Sequence, residues 1–148
     1  MTPDYLDMLR VLSDASVDFL VVGAHARSIH GTPRATGDLD IFLRRSAENA
    51  RKTLVALRQF GAPLEDLGES DLLEPEMVFQ IGIAPNRIDL LTDLTGISFD
   101  EAWAGKILAT FDNLPIPVIG REAYLKNKRA TGRLKDLADV EDVESQDR

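Results

Sequence analysis

The sequence predicts an α/β (α+β) protein with a central mixed sheet of about five strands and helices packed mainly on one side. Three observations carry that expectation. Short apolar, β-branched runs at residues 17–22, 39–43 and 87–91 read as buried strands. Between them lie longer stretches with apolar residues at helical spacing, and glycine, proline and serine mark the boundaries. At 148 residues the chain is about one domain, long enough to bury roughly two thirds of its unfolded surface in a single core, so residues 1–148 are expected to form one unit.

Residues 3–14 follow a helical pattern through Leu6, Leu9, Val11 and Leu12, with Pro3 in the first turn. The run at 17–22 ends at Gly23, and residues 24–30 form a short helix closed by Gly31 and Pro33. A second strand follows at 39–43, and Ser46 caps a helix that stops at Gly61. Residues 63–75 are acidic and irregular and are expected at the surface. Two strands, 77–83 and 87–91, are joined by a short connection that implies an antiparallel hairpin. Ser98 caps a short helix through Trp103 and Ala104. Strands at 106–111 and 116–119 flank a turn at 112–115, helices at 121–130 and 134–143 flank Gly132, and the tail from Glu144 is expected to fray.

Composition excludes several classes. A 44% hydrophobic and 28% charged content is ordinary for a globular protein, no apolar run approaches the ~18 residues that span a membrane, and the N-terminus has no secretory pattern. There is no cysteine, which removes disulfides, zinc thiolates and thiol nucleophiles, and a cytoplasmic location is the expectation. The net charge of −8 is unevenly spread, because residues 121–135 hold Arg121, Lys126, Lys128, Arg129, Arg133 and Lys135 against the single acid Glu122. A basic patch on an acidic body suits a small polyphosphate better than a long duplex.

The residues that point to chemistry are acidic. In Asp38-Leu39-Asp40-Ile41-Phe42-Leu43 the strand alternation turns Asp38 and Asp40 to one side and Leu39, Ile41 and Leu43 into the core. Two carboxylates side by side repel each other unless a cation lies between them. Asp89, in Arg87-Ile88-Asp89-Leu90-Leu91, has the same apolar flanks, and if its strand lies beside 39–43 the three carboxylates converge. Oxygen-only ligands on a rigid sheet suit Mg²⁺ or Mn²⁺ completed by nucleotide phosphates. Gly23 allows close backbone approach, and the N–H groups of the next helix form an anion site. Arg34, Lys128 and Arg133 are positioned to reach phosphates. Together these features describe a bound nucleoside triphosphate. His25 and His30 lack carboxylate partners in the pattern and read as structural, and Trp103 reads as core.

Gly23-Ala24 after a strand, Asp38-x-Asp40 and a third aspartate on a later strand resemble the nucleotidyltransferase superfamily of DNA polymerase β and the minimal nucleotidyltransferases. The run from His30 to Asp40, with Asn127-Lys128-Arg129-Ala130-Thr131-Gly132-Arg133-Leu134-Lys135-Asp136-Leu137-Ala138-Asp139, is more particularly similar to the AbiEii-type group of bacterial toxins and their uncharacterised relatives. The resemblance spans roughly residues 17–140 and implies a nucleotidyltransferase-like fold. It also implies Asp38, Asp40 and Asp89 as metal ligands, Asp89 as activator of the acceptor hydroxyl, and Lys128 with Asp136 on the nucleotide side. The activity implied is metal-dependent transfer of a nucleoside monophosphate from an NTP to a hydroxyl, on RNA such as tRNA or on protein, as a toxin with a cognate partner protein. Ala24 departs from the Gly-Ser turn of many superfamily members, so either backbone N–H groups suffice there or triphosphate binding is weakened. A catalytically silent nucleotide- or protein-binding domain is the alternative. Since the chain ends soon after its last helix, the acceptor is expected to come with a partner chain or to be read by residues 121–135.

Overall fold

The computed structural model describes residues 1–31, 37–83 and 86–146. Helix α1 (Pro3–Asp14) starts where the Thr2 hydroxyl accepts a hydrogen bond from Tyr5 N, with Pro3 in the first turn, and it buries Tyr5, Met8, Leu9 and Leu12. Strand β1 (Phe19–Val22) is buried throughout, in keeping with its unbroken apolar run. It is shorter than the expected 17–22. The chain turns at Ser16, whose φ is +59°, and the Asn49 side chain accepts from Asp18 N at 2.7 Å and donates to Asp18 O at 3.0 Å. Helix α2 (Gly23–His30) follows with no intervening loop.

Strand β2 (Leu39–Leu43) pairs antiparallel with β1, and α3 (Ala47–Phe60) begins at the Ser46 cap and ends at Gly61 in the left-handed region. The acidic segment 63–75 keeps Glu65, Asp66, Glu69 and Glu74 at the surface, as expected. Its Leu67 and Leu72 are nevertheless buried and pin it to the core around a 3-10 turn at Asp71–Leu73. Strands β3 (Val78–Ile81) and β4 (Ile88–Leu91) form the anticipated antiparallel pair, and β4 runs parallel to β2. The Ser98 hydroxyl caps α4 (Phe99–Ala104), whose Phe99 ring packs edge-on against Phe42.

Strands β5 (Ile107–Phe111) and β6 (Leu114–Val118) meet at a two-residue turn, with Asp112 and Asn113 both at positive φ. The expected start of β6 at Ile116 is two residues too late, because the strand accommodates Pro115 and Pro117. Ile119 N donates to Val21 O, so by alternation the N–H positions that these prolines lack face β1. The β1–β6 pairing is confined to the far end, at Val21 and Val118. The sheet therefore has six strands rather than about five, in the order β3-β4-β2-β1-β6-β5.

Helix α5 (Arg121–Thr131) ends at Gly132, φ +68°, and α6 (Leu134–Ser145) includes the first two residues of the tail expected to fray, Glu144 and Ser145, with Glu144 paired to Arg129 at 3.1 Å. Asn127 of α5 donates to Thr95 O, and a Cβ on Gly96 would lie 2.3 Å from that of Ala130, so the loop after β4 fits closely against α5. Among the described residues no helix is long and apolar enough to cross a membrane.

Candidate active site

The β2–β4 register sets Asp40 directly opposite Asp89, with Leu39 opposite Ile88 and Ile41 opposite Leu90. Leu39, Ile41 and Leu43 are buried, so the alternation turns Asp40 to the other side of β2. Asp89 is only 7% exposed, with its carboxyl close enough to that of Asp40 for each to feel the other's charge. Burial first, then the charges of Asp89 and Asp38, push the Asp40 carboxyl up to about 6.

Asp38 joins the pair through an arginine. Arg87 Nη2 lies 2.6 Å from Asp38 Oδ2 and 3.3 Å from Asp89 Oδ2, while its Nε donates to Asp89 Oδ1 at 3.1 Å. Tyr5 closes the structure from α1, its hydroxyl 3.2 Å from both Gly37 O and Arg87 O, the carbonyls that precede Asp38 and Ile88. The phenol pKa is raised by burial and by Asp38 and Asp40. Among the described residues no group of three or more His, Asp or Glu side chains stands ready to hold a metal ion as placed. The donor set nonetheless suits a hard divalent cation: carboxylate oxygens only, one carboxyl raised by burial and by its acidic neighbours, and a cation already bridging the other two.

Gly23 has a tenant the sequence did not disclose. Its φ is +67°, and a Cβ there would lie 2.1 Å from Asp40 Oδ2. The turn between β1 and α2 must be glycine for two independent reasons, and the carboxylate resting against it belongs to this chain.

Asp38 and Asp40 line a cleft of about 390 Å³ with Gly23 and Ala24, while Asp89 lies outside its wall beneath Arg87. Lys128, Arg133 and Lys135 contribute to the same lining. Arg133 grips Asp136 with both arms, Nε to Oδ2 at 2.6 Å and Nη2 to Oδ1 at 3.2 Å. Lys128 Nζ is 3.5 Å from Asp136 and 3.8 Å from Asp139. Asp136 is fully enclosed and absent from the cleft wall, and hydrogen bonds from Arg133, with help from Thr131 and Lys128, hold its carboxyl well below the usual range. Behind it, Arg27 of α2 pairs with Asp139 at 2.8 Å and Asp142 at 3.0 Å, tying α2 to α6.

Of the four cations lining the cleft, Lys135 alone forms no ion pair among the described residues. It stood in the 121–135 patch, but sequence spacing does not separate it from its paired neighbours. The patch itself is divided. Lys128, Arg133 and Lys135 face the acidic strands, whereas Arg121, Lys126 and Arg129 line a separate hollow with Glu101, which takes Lys126 at 2.7 Å. Arg34 lies outside the described residues. His25 is buried, its Nε2 3.4 Å from Gly37 O and its ring edge-on to Tyr5, and burial lowers its pKa. His30 Nε2 is 2.7 Å from Ile119 O.

No family model matches the sequence, and no curated protein matches it at a significant level. Solved structures do. The putative nucleotidyltransferase TM1012 from Thermotoga maritima superposes with a TM-score of 0.61 at 17% identity, over 99% of this chain and 96% of that one. The lincosamide antibiotic adenylyltransferase LnuA, with lincomycin bound, superposes with a TM-score of 0.60 at 14% identity, over 98% and 97%. At these identities the likeness to both structures is one of fold alone.

Proposed function

We propose that this chain is a metal-dependent nucleotidyltransferase that moves a nucleoside monophosphate from an NTP to an acceptor hydroxyl. The observation that carries the reading is the pairing of Asp40 with Asp89 across β2 and β4, with Asp38 joined through Arg87, beside a cleft whose lining includes Lys128, Arg133 and Lys135. Asp38, Asp40 and Asp89 would hold Mg²⁺ or Mn²⁺, which when bound would neutralise phosphate charge and lower the pKa of the attacking hydroxyl. The chain's own part is positional and electrostatic. Gly23 and Ala24 offer the backbone N–H groups of the α2 turn, and Lys128, Arg133 and Lys135 take the triphosphate, with Asp136 holding Lys128 and Arg133 in place. The acceptor oxygen bonds to the α-phosphorus, the bond from that phosphorus to the α–β bridging oxygen breaks, pyrophosphate leaves, and Asp89 accepts the hydroxyl proton.

Two observations favour a second reading, a silent nucleotide- or protein-binding domain: Arg87 already pairs with both Asp38 and Asp89, and Ala24 brings no hydroxyl to the turn. An α-labelled NTP separates the two. Transfer of label to RNA or protein of a cell extract, lost in Asp40→Ala, is the enzyme's result; no transfer from any of the four NTPs with Mg²⁺ or Mn²⁺ is the silent domain's. The acceptor that takes the label also tests the toxin role implied by the AbiEii-type resemblance, for which tRNA or protein is the expected target.

A further inference from the structure

The guanidinium of Arg87 occupies a distinctive place. Its Nη2 stands between Asp38 Oδ2 and Asp89 Oδ2, at 2.6 and 3.3 Å, so a ligand bridging these two carboxylates must displace it. The Arg87 side chain is 36% exposed, against 11% for that of Asp89, so a route outward is open. Its backbone is held independently, since Arg87 O accepts from both Leu39 N at 3.1 Å and Tyr5 Oη at 3.2 Å. Only the side chain has to move, and the strand that carries Asp89 stays fixed.

We infer that Arg87 is a built-in counter-cation that competes with a divalent metal ion for Asp38 and Asp89, and so sets the metal affinity of the site. The inference rests on the proposed metal-binding role of the three aspartates. With Arg87 in place the three ionised carboxylates and one guanidinium sum to −2, against −3 once the guanidinium has moved away. A cation entering between Asp38 and Asp89 must displace a partner that makes two charge-assisted hydrogen bonds to Asp89 and an ion pair with Asp38, and this weakens its binding. Removing the guanidinium leaves two carboxylates facing each other without a partner, which strengthens metal binding and weakens the metal-free fold.

Mn²⁺ titration followed by the electron paramagnetic resonance signal of the free ion measures this directly, without nucleotide and without turnover. Arg87→Met is expected to bind Mn²⁺ at least tenfold more tightly than the unsubstituted protein. Arg87→Lys, whose single ammonium cannot bridge both carboxylates, is expected to fall between them. In EDTA Arg87→Met should melt at a lower temperature than the unsubstituted protein and gain more from added Mn²⁺. Should Arg87→Met fail to fold, Arg87→Lys carries the comparison. Equal Mn²⁺ affinities in a protein that does bind would overturn the role of Arg87 while leaving the carboxylate site standing. Weaker binding by the variants would make Arg87 a support of the site instead of a competitor. No Mn²⁺ binding by any of the three proteins overturns this inference together with the reading beneath it.

Discussion

The two sides of the cleft solve the same electrostatic problem in opposite ways. On the helical side charge is balanced internally: Arg133 and Lys128 hold Asp136, and Arg27 holds Asp139 and Asp142, with most of these groups withdrawn from solvent. On the strand side three aspartates share one arginine, and Asp40 is pushed up to about 6 by burial and by its acidic neighbours. The helical side is therefore scaffold first, and a phosphate there must compete with Asp136 for Lys128 and Arg133. The strand side is left with unbalanced negative charge, which strengthens with each proton it loses.

The contrast breaks most severely at Arg27. Arg27→Met removes the cation that pairs with both Asp139 and Asp142 and should destabilise the fold by about 3–5 kcal/mol in urea denaturation, as removing one partner of a buried ion pair usually does. The double change Arg27→Met with Asp139→Asn should recover a large part of that loss. Gly23→Ala comes next, at about 2–3 kcal/mol, from a left-handed backbone and a collision with Asp40. Combining it with Asp40→Ala should cost less than the two changes added separately, because the collision is then absent.

The strand side predicts a change of the opposite sign. A carboxyl whose folded pKa lies above its unfolded value binds more protons when folded, so its contribution to stability falls as pH rises from about 4 to about 6. Asp40→Asn should therefore stabilise the metal-free protein by about 1–2 kcal/mol at pH 8, allowing for solvent screening, and change it little at pH 4, where both proteins carry a neutral group. Thermal melts of both proteins across that range check the sign. The smallest structural effect belongs to Lys135→Ala. With no ion pair to lose among the described residues, it should leave stability within about 0.5 kcal/mol, yet weaken nucleotide binding about tenfold if Lys135 is the cation that meets phosphate.

Local signals made much of this legible in the sequence. Ser46, Ser98 and Gly61 cap or end their helices through bonds to residues a turn away, and the apolar alternation around Asp40 and Asp89 fixes the side to which they point. That the strand of Asp89 lies beside β2 is, in the sequence, only a condition for the carboxylates to meet, and the β2–β4 register fulfils it. Less legible were the features built over long separations. Arg27 and Asp139 are 112 residues apart, and nothing local marks them as partners. Arg87 reads as an ordinary charge at the start of the expected strand 87–91 until β2 and β4 are paired. Gly23 announces a turn, but its real demand, room for the Asp40 carboxylate, exists only in three dimensions. Pro115 hides the start of β6, because a missing N–H matters only if a neighbour needs it.

Isothermal titration of NTP into the protein, once with Mg²⁺ and once with EDTA, tests most directly the claim that the three aspartates form a metal-dependent nucleotide site. Heat of binding seen with Mg²⁺, and abolished both by EDTA and by Asp40→Ala, is the predicted result. Equal affinity under the two conditions, unchanged in Asp40→Ala, would contradict it.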